Sequence, residues 1–178
     1  GLSPGSHGGS LHWGMIRTGL AILTLLAGSA HAATFTDTKN GFTVTAPAGW
    51  EQVPYAGTAV VYMSPRRVAG FGPNINVIVQ TVPAGLTQAQ FHASSLAQIR
   101  KYVTGGKVIQ SRAVTLGGRP ANEVVYTGRQ GEFSLYFIAV YAVKGTRAYI
   151  VTGTTVLGQQ GTMAQTTRAF ASSLKITR

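Results

Sequence analysis

The sequence predicts an α+β domain, an antiparallel β-sheet of six to eight strands with helices on both faces (an αβα sandwich). Three observations carry that class. Runs with strand periodicity, punctuated by glycine turns, fill most of residues 34–155. Two stretches of helical periodicity interrupt or follow them. One run, Phe133 to Val143 (FSLYFIAVYAV), is apolar on both of its alternating faces, which requires cover on both sides of the sheet.

The elements follow in order. Phe35–Asp37 and Phe42–Thr45 flank Lys39-Asn40-Gly41, and Asn-Gly supplies positive φ cheaply, so the pair reads as a β-hairpin. Pro47-Ala48-Gly49-Trp50 breaks the second strand. Thr58–Met63 is a short β-rich run, and Ser64–Pro73 is a loop by its proline and glycine content. Asn74–Val82 alternates, with Ile75, Val77 and Val79 on the core face and Asn74, Asn76 and Gln80 on the other. Thr87 precedes Gln90 by three residues, a capping box that opens a helix over Gln88–Val103. Phe91, Ser95, Ile99 and Tyr102 form its apolar stripe, with Leu96 and Val103 beside it, and Gly105-Gly106 ends it. Strands over Lys107–Leu116, Pro120–Thr127, Phe133–Val143 and Thr146–Thr155 are joined by short turns, which makes them an antiparallel meander. A second helix, Gly161 to Leu174, repeats Met163, Thr167, Phe170 and Leu174 at helical spacing.

The order of these elements resembles the PsbP-like family, whose wider superfamily includes the Ran-binding Mog proteins and the exported DcrB-like proteins. The likeness is carried by Gly41-Phe42-Thr43-Val44-Thr45-Ala46-Pro47-Ala48-Gly49-Trp50 at the opening and by Leu86-Thr87 before the helix. Leu116-Gly117-Gly118-Arg119-Pro120-Ala121 leading into Glu123-Val124-Val125-Tyr126 continues it. Tyr149-Ile150-Val151-Thr152 and the closing Phe170-Ala171-Ser172-Ser173-Leu174-Lys175-Ile176 complete it. The resemblance spans most of residues 34–178. It implies the αβα sandwich and a non-enzymatic binding or assembly role, and it carries over no catalytic residue.

The N-terminal segment reads as an export signal. Met15-Ile16-Arg17-Thr18 is a charged start, Gly19–Gly28 an uncharged apolar run, and Ala30-x-Ala32 a small-residue exit, so cleavage before Ala33 is expected. The run is about half of the ~20 apolar residues a spanning helix needs, so no transmembrane anchor is expected after cleavage. No cysteine follows it to take a lipid anchor. Residues 1–14 read as an upstream mis-start or an expression remnant, residues 15–32 as the signal peptide and 33–178 as one domain that works in the periplasm, the cell envelope or outside the cell.

Composition narrows the chemistry. The chain has no cysteine, which removes thiol catalysis, disulfides and thiolate metal sites. His92 is the one histidine after Ala32, and Asp37, Glu51, Glu123 and Glu132 are the only acids, so neither a zinc nor a calcium site and no cofactor is expected. His92 sits at the edge of the first helix's apolar face, where it reads as a packing residue with no visible partner. Gly153 and Gly158 have phosphate-loop spacing without the lysine such a loop requires. Trp50 reads as a plug of the core.

All but one of the 15 Lys and Arg lie after Ala32, against 4 Asp and Glu. Such an excess favours an anionic partner: a protein, an acidic polymer or a lipid surface. The basic residues are scattered along the chain, which reads as diffuse attraction. Tyr and Phe fall in predicted core positions instead of interleaving with Arg, which disfavours nucleic acid. Within the Ser64–Pro73 loop, Arg66 and Arg67 offer forked donors beside Phe71, whose ring the glycines would let swing outward. These three are the candidate binding residues. The functional expectation is an exported, non-enzymatic binding or assembly module. The alternative is a hydrolase with a sparse acid site, Glu123 and Glu132 brought together across a hairpin.

Overall fold

The computed structural model describes residues 33–178, so the readings of residues 1–14 and 15–32 lie outside the described residues. The strands are β1 (Thr34–Asp37), β2 (Phe42–Thr45), β3 (Glu51–Val53), β4 (Val60–Met63) and β5 (Asn74–Thr81), then β6 (Lys107–Leu116), β7 (Arg119–Gln130), β8 (Phe133–Lys144), β9 (Arg147–Val156) and β10 (Lys175–Ile176). The helices are α1 (Gln88–Tyr102) and α2 (Gln160–Ser173).

The predicted large antiparallel sheet is present with seven strands, in the order β3-β4-β5-β9-β8-β7-β6. The N-terminal hairpin does not belong to it. β1 and β2 form a second, three-stranded sheet closed by β10, with Lys175 opposite Thr43 and Ile176 opposite Phe42. The cause is Phe42 and Val44, both buried on one side of the hairpin, which seat it flat on the main sheet's apolar face instead of along its edge. Phe42 meets Tyr149 of β9 edge-on at 6.2 Å.

Alternation along β8 divides the interior in two. Ile138, Val140 and Ala142 pack with Met163 and Phe170 of α2 and with Phe42 and Val44 of the small sheet. Phe137, Ala139, Tyr141 and Val143 pack with Phe91 and Ile99 of α1. The capping box at α1 is closed by Gln90 N–H donating to Thr87 Oγ1 at 3.1 Å and Thr87 N–H donating to Gln90 Oε1 at 3.0 Å.

Two expectations change. Tyr102 is not on the core stripe of α1: it is the last helical residue and is 62% exposed, while Val103 one step on takes the buried place. The face of β5 carrying Asn74 and Asn76 is buried, not solvated, because the loop before it folds back and Asn74 Nδ2 donates to Gly72 O at 3.0 Å. Gly153 lies inside β9 opposite Ile75 and Ile138, within the strand expected over Thr146–Thr155.

Candidate interaction surface

Strand register sorts the charged residues into two ends of the sheet. Glu51 pairs with Met63, Met63 with Asn74, Asn74 with Thr154, Thr154 with Phe137 and Phe137 with Tyr126. Beyond that level lie the Ser64–Pro73 loop, the turn at Gly131 and Glu132, Leu157 and the turn that leaves α1. We call this the loop end. Arg147 pairs with both Thr81 and Lys144, and Arg119 with Leu116, at the opposite turn end. The basic residues, scattered along the chain, are therefore gathered in space. Arg66, Arg67, Arg100, Lys101, Lys107 and Arg129 fall at the loop end with the acids Glu51 and Glu132.

The Ser64–Pro73 loop is itself a small hairpin. Ser64 N–H donates to Pro73 O at 2.8 Å across its base, and Val68 and Phe71 exchange two backbone bonds of 2.9 Å near its tip. The two residues between, Ala69 (φ 49°) and Gly70 (φ 80°), are both left-handed, as a tight two-residue turn of this hand requires. For alanine that conformation costs roughly 1–2 kcal/mol. Phe71 corrects the expectation of an outward ring. It is 8% exposed, packs edge-on to Phe133 at 5.4 Å, and anchors the loop from beneath. The turn that closes the loop points residue 71 back at the sheet. Arg66 and Arg67 stay exposed, and Arg67 Nη2 donates to Gly70 O at 2.5 Å, which fixes its fork across the turn.

The same end carries the large apolar side chains that are exposed among the described residues: Tyr102 (62%), Ile109 (54%) and Leu157 (47%). Ile109 is turned out by a register shift between Val108 and Gln110 at the sheet edge. Lys101 Nζ lies 5.2 Å from the centre of the Tyr102 ring. Arg129 N–H donates to Thr104 O at 2.8 Å and ties β7 to the end of α1. Aromatic and aliphatic groups among arginines are the composition of protein-recognition surfaces. Tyr102 was lost to the sequence reading because helical spacing continued one turn beyond the last buried residue. Ile109 gave no signal, because a bulge is invisible in a strand-period run.

Glu123 and Glu132 are not brought together. Glu123 pairs with Val140, whereas Glu132 lies in the turn between Gln130 and Phe133, seven strand positions away. That separation is roughly 24 Å at ~3.4 Å per residue. Glu123 is instead clamped by two arginines. Arg112 donates from Nε and Nη2 at 3.1 and 3.0 Å, and Arg168 of α2 from Nε and Nη2 at 3.1 and 2.8 Å. Burial alone would raise the Glu123 pKa, but the bonds from Arg168 and Arg112 outweigh it and hold the carboxyl below its ordinary value. A depressed folded-state pKa stabilises the protein above the unfolded-state value, near 4.5, and the contribution is lost as pH falls through the folded value. Glu123→Gln should therefore cost about 1–2 kcal/mol at pH 7, discounted because both guanidinium groups are nearly half exposed and rehydrate. Urea midpoints of the two proteins should converge between pH 5 and pH 2; a gap that stayed constant would mean the carboxylate charge contributes nothing.

His92, expected to stand alone, has two partners. Its Nδ1 lies 2.5 Å from Tyr141 Oη and its Nε2 lies 3.1 Å from Ser111 Oγ. Burial lowers the imidazole pKa and raises that of the Tyr141 phenol, so both are neutral at pH 7. With the phenol donating to Nδ1, the ring proton sits on Nε2 and points at Ser111. In that tautomer the ring cannot take a proton from the serine, and the chain of groups ties α1 to the sheet instead of activating a nucleophile. Trp50, read as a core plug, is half-buried and forms one wall of an uncharged groove of about 570 Å³ against Ala169 and Phe170 of α2. Among the described residues no three His, Asp or Glu side chains group as metal ligands, and no helix is long and apolar enough to cross a membrane.

No family model and no curated protein matches this chain in sequence. Solved structures do match it. Cyanobacterial PsbP (CyanoP) from Synechocystis sp. PCC 6803 superposes with a TM-score of 0.62 at 18% identity, covering 86% of this chain and 98% of that one. LpqN of Mycobacterium tuberculosis, involved in cell envelope biogenesis, gives 0.63 at 13%, covering 85% and 93%. The Saccharomyces cerevisiae Ran-binding protein Mog1p gives 0.57 at 11%, covering 84% and 97%. Identities this low speak to architecture and not to partners: a seven-stranded antiparallel sheet, a second three-stranded sheet and two helices make up the PsbP-like fold, the family the element order resembles.

Proposed function

We propose that the chain is an exported, non-enzymatic binding or assembly module, processed before Ala33, whose loop end docks an acidic protein of the cell envelope. One observation carries the reading. Exposed Tyr102, Ile109 and Leu157 share an end of the sheet with Arg66 and Arg67, on a loop pinned by Phe71. Rigid apolar contacts ringed by cations supply both a desolvated centre and charge steering. Arg66, Arg67 and Phe71 keep roles in this site, the arginines as contacts and the phenylalanine as the support that holds them. The descriptions of two structural neighbours point the same way, since Mog1p is Ran-binding and LpqN takes part in envelope biogenesis.

The test is site-specific photo-crosslinking from position 102 in the exporting host. A discrete protein adduct is expected, and N-terminal sequencing of its smaller component should begin at or beside Ala33. Arg66→Ala with Arg67→Ala should reduce the adduct at least tenfold. Lys39→Ala with Lys175→Ala, which removes the same charge from the turn end, should leave it within about twofold, since diffuse attraction falls equally in both. Equal losses in the two double variants, or no adduct, would refute the docking role of the loop end.

A further inference from the structure

The turn end of the molecule differs in chemistry from the loop end. Lys39, Arg119, Lys144, Arg147, Lys175 and Arg178 gather there, by register and by contact. Lys144 pairs with Arg147 at the β8–β9 turn. Arg147 Nη1 and Nη2 donate to Asn40 O at 3.1 Å and Lys39 O at 3.3 Å, and Arg178 donates to Thr38 O. Arg119 Nε donates to Val143 O at 3.1 Å. β10, with Lys175, is held in place by Thr177 N–H donating to Gly41 O at 2.8 Å.

The acid at this end is Asp37, and it is occupied. Its two carboxylate oxygens accept from Asn40 N–H and Asn40 Nδ2, both at 2.8 Å. Three guanidinium groups are thus oriented by backbone carbonyls, which fix a fork without cancelling its charge. Positive charge concentrated in this way destabilises the free protein and is retained at the cost of self-repulsion. Among the described residues the exposed large apolar side chains lie at the loop end, so the described part of the turn end lacks the desolvated centre a protein interface uses. Nor do the described residues at this end carry a large exposed ring on which nucleic-acid bases could stack. Two cavities open at this end, about 340 Å³ beside Lys175 and about 280 Å³ beside Arg119, and each has a single cation in its lining. The cations sit in the turns and in the strand positions beside them, at one end of the two sheets.

We infer that the turn end binds the surface of an anionic lipid bilayer, through simultaneous contact of these cations with lipid phosphate groups. The inference extends the reading of an envelope module, because it leaves the loop end facing away from the membrane and free for a protein. Each Lys or Arg at an anionic bilayer surface strengthens binding about fivefold, and the effect collapses within a Debye length as salt rises.

Co-sedimentation of the exported protein with vesicles of phosphatidylglycerol in phosphatidylcholine tests it against phosphatidylcholine alone. Binding to the anionic vesicles is expected at low salt and should be lost at high salt. Lys39→Ala/Lys144→Ala/Lys175→Ala should weaken it roughly a hundredfold. Arg66→Ala/Lys101→Ala/Lys107→Ala, with the same net charge, should change it less than about fivefold. Both triples remove side chains that bond to no carboxylate, and melting of each is the folding check. Equal losses would mean diffuse charge and would overturn the inference. So would binding to soluble polyphosphate without binding to vesicles, which assigns the end to an acidic polymer. Loss of the position-102 adduct in the turn-end triple, with vesicles unbound, would assign it to the protein partner. The docking reading fails separately, by loss of that adduct's specificity while vesicle binding persists.

Discussion

Phe137→Ala should lower the unfolding free energy by about 3–5 kcal/mol, and Ile138→Ala by about 2–4 kcal/mol. The two residues are neighbours in β8, 3% and 0% exposed, yet they share no packing partners. Phe137 stacks on Tyr126, with ring centres 4.7 Å apart and planes 10° from parallel, in the core that holds Phe91 and Ile99 of α1. Ile138 faces the other way, among Phe42, Met163 and Phe170. Removing either leaves a cavity between the sheet and a packed helix, and β8 is held by paired strands on both sides, so little collapse follows from the sheet. Since both losses together approach the whole stability of an ordinary domain, independence is better measured with smaller changes. Phe137→Leu and Ile138→Val should each cost about 1 kcal/mol and add to within about 0.5 kcal/mol. A large coupling between them would mean that the two cores are one, and a cost below about 1 kcal/mol for either alanine variant would mean that its side of the sheet is uncovered.

What could be read along the chain was local. Lys107–Leu116 is bounded by Gly105-Gly106 and Gly117-Gly118, and its predicted limits are the observed ones. The helix opened by Thr87 and Gln90 is observed because the capping box is a contact between residues three apart. β3 and β10 escaped, for at three and two residues they are too short to show a period. They exist because β4 and β2 offer them a free edge. Assigning the N-terminal hairpin to its own sheet depends on β10, some 130 residues downstream, as does any contact set by topology. The site was half legible for the same reason. Arg66 and Arg67 stand out in a Pro/Gly loop, and they are exposed. That Phe71 turns under depends on Ala69 accepting a left-handed conformation, against the ordinary preference of alanine. The two charged ends appear only after the register of the strands is known, since Arg66 and Arg129, or Lys39 and Arg147, are remote in sequence. Of the two arginines that clamp Glu123, Arg112 stands directly opposite it across the hairpin that turns at Gly117-Gly118, a local pairing, whereas Arg168 comes from α2 at a spacing no local rule sets.

Gly153→Ala should cost about 2–4 kcal/mol, at or above the top of the range for one added methyl in a packed interior. Gly153 lies in the middle of β9, where a glycine ordinarily weakens a strand. Its reason is α2. A Cβ built at this position would stand 2.0 Å from Thr167 Oγ1 and 3.1 Å from both Thr167 Cβ and Met163 Sδ. Met163 is flexible and can give way. Thr167 cannot: it is fully buried, β-branched and stiff at χ1, with its hydroxyl set toward Met163 Sδ at 3.4 Å. Relief therefore requires α2 to lift from the sheet, which strips contacts from Phe170 and Met163 and strains the Arg168–Glu123 clamp one residue along. Thr167→Ala removes the nearest atom and leaves the 3.1 Å approaches of its Cβ and of the flexible Met163 Sδ. The double variant Gly153→Ala/Thr167→Ala should accordingly be more stable than Gly153→Ala alone, with a favourable coupling of at least 1 kcal/mol in a double-mutant cycle. Thermal and urea denaturation of the four proteins give the measurement. If Gly153→Ala melted with the parent, α2 would not be seated on β9 at this distance. If it were destabilised without rescue by Thr167→Ala, the cost would lie in the strand backbone and not in the helix contact.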